Sequence, residues 1–193
     1  LIYFEQMSHL FKELHEAFPQ NVDFKNGLAI SYSKLGETHS ALGDLRQALG
    51  YFEDYNRLKK ELYEAFPQNV GFKNGLAISY SRLGGTHSAL GDLQQALKYC
   101  EDSNRLGKEL YEAFPENVDF KSNYAESLAV FFGVHKIFSL PVETTYLDMA
   151  IQLFQELYSS AQRPYYQQKI NICLQMKRAD ADLKQLISEM IAF

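Results

Sequence analysis

Apolar residues recur three and four positions apart through most of this chain, and the recurrences come in blocks. Phe24, Leu28, Tyr32 and Leu35 make one block; Leu45, Ala48, Leu49 and Phe52, continued by Leu58 and Leu62, make the next. That spacing predicts helices, each turning one face to a core. Gly43-Asp44 interrupts the pattern between the two, glycine closing one helix and aspartate capping the next. Asp92 stands in the same role one period later. Pro19, Pro67 and Pro115 mark where a helix stops, because proline disfavours helical geometry in the residue before it. Glu53 with Arg57, and Glu101 with Arg105, are predicted as i,i+4 pairs on a solvated face. No stretch alternates with period two, so no sheet is expected.

The blocks themselves repeat. Residues 17–64 recur almost unchanged as residues 65–112, a 48-residue period, and a weaker copy, AFPENVDFKSNYAESLAV, begins at Ala113. Units of this size stack on their neighbours to bury the apolar face that none can bury alone. Near-identity between two units preserves useful and idle positions alike, so their agreement identifies no site. The differences are more telling. Asp23/Gly71, Glu37/Gly85 and Lys59/Gly107 exchange a charge for glycine, which predicts that little depends on those side chains. In the third unit Phe131-Phe132 replaces Leu-Gly and Ser139-Leu140-Pro141 replaces Gly-Asp-Leu. Its second helix resumes six residues late at Ala150…Phe154, with Thr145 and Asp148 spaced as a capping box. Beyond Pro164, Ala181-Asp182-Leu183 echoes Gly43-Asp44-Leu45 after a shorter interval, which predicts a final first helix shorter by two turns.

Leu35-Gly36, the ring of His39, Gly43, Ala48, Phe52 and the closing proline resemble the tetratricopeptide repeat. That repeat is usually about 34 residues, and the extra residues here divide into roughly two added turns per helix. The P-x-N-x-x-F…L-A-x-S-Y-x-x-L-G signature is similar to long-helix arrays of bacterial multidomain proteins. The resemblance implies an all-α, right-handed solenoid of antiparallel hairpins, and the expected divisions form one solenoid domain. These are residues 1–18 (second helix of a truncated repeat), 19–66, 67–114, 115–163 (diverged) and 164–193 (a shortened C-terminal capping hairpin). Phe4-Glu5 aligns with Phe52-Glu53, so residue 1 is expected to fall within a longer array. Ile2, Phe4 and Leu10 would then present an apolar face prone to weak end-to-end self-association.

Composition narrows the function. The 193 residues carry a net charge of −5, with 46% hydrophobic and 22% charged residues. A chain of this length buries a core without disulfides or metal, and the absence of any basic run argues against nucleic acid. The most apolar stretch, Leu128–Leu140, is interrupted by His135 and Lys136 and is too short to span a bilayer. Cys100 and Cys173 suit packed free thiols in a reducing, cytoplasmic setting.

No set of residues reads as catalytic, and no cofactor is expected. His39, His87 and His135 recur in register, but stacked helices lie about 10 Å apart while zinc ligands sit about 2 Å from one ion. They are read as packed rings. Cys100 replaces Phe52 on a buried face, with no base placed to activate it. Glycine-rich phosphate loops, CxxC pairs and HExxH are absent from the sequence.

The resemblance implies a concave groove lined by the first helices, taking an extended peptide or a helix from a partner protein. The unburied stripe supplies Asn26, Ile30, Ser33, Glu37 and Ser40; then Asn74, Ile78, Ser81, Gly85 and Ser88; then Ser122, Glu126, Ala129, Gly133 and Lys136. Small polar residues leave room for a ligand backbone, and asparagine can both donate to it and accept from it. The carboxylate clamp some relatives use for chaperone tails is unmatched, since Ser33, Glu37, Ser81 and Gly85 occupy its region. The expected function is therefore protein–protein interaction, within a larger signalling or effector protein. A spacer or intramolecular clamp without an external ligand is the alternative.

Overall fold

Glycine and proline punctuation cuts the chain where the sequence predicts. The computed structural model describes residues 1–178 and 180–191. Among these it contains nine helices and no strand: α1 (Ile2–Ala17), α2 (Val22–Ala41), α3 (Leu45–Ala65), α4 (Val70–Leu90), α5 (Leu93–Ala113), α6 (Val118–Ile137), α7 (Thr145–Ala161), α8 (Pro164–Met176) and α9 (Leu183–Ile191). Within each of its two compact units, helices neighbouring in sequence pack on one another, α1 on α2, α2 on α3, α5 on α6, α6 on α7 and α7 on α8, and the described residues are all-α. At 13 residues, α8 is seven shorter than the 20-residue α2, the two turns that the sequence spacing removes.

Local chemistry accounts for the boundaries. Phe18, Phe66 and Phe114, each preceding a proline, leave helical geometry and end α1, α3 and α5. Asp44 and Asp92 accept from the backbone N–H of Gln47 and Gln95, capping α3 and α5. Caps at Asn21, Asn69 and Asn117 were not anticipated. Their side chains accept from Phe24, Phe72 and Phe120 N–H, which explains the asparagine two residues after each proline. Gly43 and Gly91 close α2 and α4 with φ of +80° and +85°; Ser139 holds the corresponding place after α6 at φ 54°.

Two sequence expectations fail. Arg57 pairs with Asp54 and Glu61 rather than Glu53, and Arg105 with Asp102 and Glu109 rather than Glu101. The i−3 and i+4 carboxylates flank each arginine on one helix face, so the guanidinium bridges both. The Thr145–Asp148 capping box does not form either. Thr145 donates to Glu143, while the Asp148 carboxylate accepts from Lys177.

The chain forms two compact units, Leu1–Ser79 and Tyr80–Phe193. In the first, α2 packs against α1 and α3 around Leu28, Ala29, Tyr55 and Leu58, with Phe11, Tyr32 and Ile78 at the edges. A Cβ on Gly36 would lie 2.5 Å from the Phe52 ring, so the helices meet only because that position is glycine. In the second unit Gly84 faces Cys100 in the same way. There α6 packs on α5 and α7, α8 packs on α7, and α9 lies against α6 and α8. Phe132, Phe154, Leu147 and Met190 fill this core.

Candidate partner-binding faces

The predicted stripe meets different fates in the two units. In the first, α2 carries Asn26, Ile30, Ser33, Glu37 and Ser40, and the start of α4 carries Asn74 and Ile78. Ile30 is 41% exposed, although Ala29 and Ser31 beside it are fully buried. Asn26, Glu37, Ser40, Asn74 and Ile78 are half-buried, and Ile78 leans on the Leu28–Tyr55 core. Ser33 is buried, its hydroxyl 3.5 Å from Glu37 Oε1, and Glu37 also accepts from Lys34.

Lys59 was read from sequence as dispensable, and the structure corrects this. It is 5% exposed, and its Nζ donates to Asn26 Oδ1 at 2.6 Å. The stem lies where a Cβ on Gly75 would fall, just as Phe11 lies on Gly27 one repeat earlier. Among the described residues no carboxylate stands within ion-pairing distance, and burial pushes the ammonium down to about 8. The exchange for Gly107 therefore swaps a packed side chain for space.

In the second unit the stripe is covered. Ser81, Ser88, Ser122, Ala129, Gly85 and Gly133 are all buried. Ile187 Cδ1 lies 2.8 Å from where a Cβ on Gly133 would stand, and Ile191 Cδ1 2.6 Å from the same point on Gly85. The Glu37/Gly85 exchange thus makes room for α9. Glu126, predicted to face a ligand, accepts from Tyr165 and stands 3.4 Å from Lys169 Nζ. Burial together with the Glu126 charge raises the Tyr165 phenol; burial lowers Lys169, against the pull of Glu126. Lys136 alone of this group remains exposed. Sequence periodicity could not find this cover, because helix α9 approaches from a hairpin with its own register.

The three histidines stack on rings. His39 lies 5.4 Å from Tyr51, His87 5.6 Å from Tyr99, and His135 4.0 Å from Phe131. Nδ1 of His39 and of His87 also faces the cap carboxylates of Asp44 and Asp92, at 3.7 and 3.4 Å. Among the described residues no three His, Cys, Asp or Glu side chains gather as a metal site would require. Cys100 and Cys173 are buried, and burial pushes both thiols up to about 12, far from a nucleophile's range.

A family model described as tetratricopeptide repeat matches residues 76–116, the later part of α4, all of α5 and the turn after it. Residues 76–116 are thus similar to a tetratricopeptide repeat. Residues 28–68 restate the matched segment with few exchanges, and Gly36 meets Phe52 where Gly84 meets Cys100. Tetratricopeptide repeats are non-enzymatic modules that generally mediate protein–protein interaction. A comparison with the curated proteins returns no match. Among the described residues no helix is long and apolar enough to cross a membrane.

Proposed function

We propose that the chain recognises a peptide or helix of a partner protein on the α2 face of its first compact unit. The observation that carries this reading is Ile30, a large apolar side chain left 41% exposed in the middle of α2, between the buried Ala29 and Ser31. Polar groups stand along the same stripe at Asn26, Glu37 and Ser40, able to orient a ligand backbone around that anchor. The role fits a segment of a larger signalling or effector protein.

The test is selection of a random peptide library on the immobilised chain, followed by affinity measurement with Ile30→Arg. Asn26 is a poor target, because Lys59 rests on it. Enriched peptides that bind the native chain and lose at least tenfold with Ile30→Arg would support the reading. Peptides indifferent to that change would remove it.

A second reading has its own support. Glu126 is held by Tyr165 and Lys169 of the same chain, as an internal clamp requires. On that reading the second unit engages its own C-terminal hairpin and takes no outside ligand.

A further inference from the structure

The seat beneath α9 is built in a way that says what it accepts. Helix α9 has nine residues, too few to hold helical structure alone in water. Leu183, Leu186, Ile187, Met190 and Ile191 fall at i, i+3, i+4, i+7 and i+8, and the last four are buried. The polar residues Lys184, Gln185, Ser188 and Glu189 lie between them. The receiving face supplies two notches without side chains. Ile187 enters the one at Gly133, Ile191 the one at Gly85, and Ile187 Cγ2 also comes within 3.5 Å of the Gly85 position.

The end of the seat is also prepared. Lys169 is fully buried on α8 and donates to the backbone carbonyl of Met190, in the last turn of α9. The final carbonyls of a helix lack intrahelical partners and carry the negative end of its dipole, so a cation there is favourable. Glu126 beside Lys169 balances the ammonium. The contacts thus read helix geometry: two β-branched side chains four apart, and a helix C-terminus.

We infer that the face formed by Gly85 of α4, Gly133 of α6 and Lys169 of α8 is a receptor for one amphipathic helix, occupied by α9 and exchangeable for a partner's helix of the same pattern. The partner presents apolar side chains at i, i+3, i+4, i+7 and i+8, with β-branched residues at i+4 and i+8, and ends near Lys169. Helix α9 then acts as an internal competitor that sets the affinity for the outside helix. This seat is separate from the Ile30 face, so failure at one leaves the other standing.

The experiment uses the full chain and a fluorescein-labelled peptide of residues 182–193. In one variant, Ile187→Asp with Ile191→Asp, α9 is released from its notches. The peptide should bind this variant at least tenfold more tightly than the native chain. Adding Gly133→Leu should abolish that gain, and a scrambled peptide should show none. A released variant that keeps its helical circular dichroism and binds the peptide no better than the native chain would overturn the inference.

A second measurement needs no substitution. Saturating unlabelled peptide should raise amide exchange across residues 183–191 of the native chain at least tenfold and leave α6 protected. Unchanged exchange at saturation counts against exchangeability, as does equal displacement by the scrambled peptide. A native dimer with swapped α9 would give the seat to a second copy and overturn its assignment to a partner.

Discussion

Lys59 Nζ lies 2.6 Å from Asn26 Oδ1, a buried ammonium whose partner is an amide oxygen rather than a carboxylate. The contact ties α3 to α2 beside the α2 stripe, and the lysine stem fills the space left by Gly75. An amide dipole replaces only part of the hydration that a cation loses.

Stability should therefore depend on pH through Lys59. Its folded value, about 8, lies below the ordinary 10.5 of the unfolded chain. Below pH 8 both states are protonated and the fold carries the full cost of burying the charge. Between about 8 and 10.5 the unfolded state binds more protons, so stability rises with pH. Lys59→Met removes this dependence. At pH 7 it should be more stable than the native chain by about 1–3 kcal/mol, less the penalty for leaving Asn26 unpaired. The advantage should shrink as the pH approaches 10. Urea titrations of both proteins at pH 7, 8.5 and 9.5 check it, and a constant difference would contradict it.

Ser139 adopts φ 54° where the two better-preserved repeats place Gly43 and Gly91. A side chain in the left-handed region costs roughly 1–2 kcal/mol, whereas glycine adopts it freely. Ser139→Gly should raise stability by about 0.5–1 kcal/mol after the extra unfolded-state entropy of glycine is counted. Thermal melts of the two proteins decide it; a lowered midpoint would mean that Ser139 makes a contact worth more than its strain.

Gly36 and Phe52 illustrate close packing that tolerates one partner's change and not the other's. A methyl on Gly36 would meet the Phe52 ring at 2.5 Å, so Gly36→Ala should cost about 1–3 kcal/mol despite alanine's better helix propensity. Cys100 holds the Phe52 position opposite Gly84. Because the equivalent glycine already receives a ring one repeat earlier, Cys100→Phe should change stability by less than about 1 kcal/mol. Denaturation of the two variants side by side tests the contrast, and equal losses would refute it.

The helices were readable because their signals are local. Apolar spacing, a glycine after the last turn, an aspartate before the next and a proline beyond each pair act within a few residues, and α2 through α5 follow them. Even the loss of two turns in α8 could be counted from the interval between Pro164 and Asp182. Candidate site residues were harder to read. Ile30, Ile78 and Glu126 share a periodic position, yet Ile30 is exposed, Ile78 is half-buried and Glu126 is held by Tyr165 and Lys169. Periodicity assigns a face to a residue; it does not say what stands against that face.

From sequence alone came an all-α chain, the ends of its helices, packed rings at His39 and His87, and a candidate stripe on the first helices. Each follows from interactions within one repeat, and repetition made every signal visible more than once. Tertiary structure decided which part of the stripe stays open. Gly133 and Ile187 are 54 residues apart, and nothing local to either foretells their contact. Lys59 on Gly75, Lys169 beside Glu126 and α9 on α6 are likewise products of packing between distant elements, where volume and buried charge must be satisfied together.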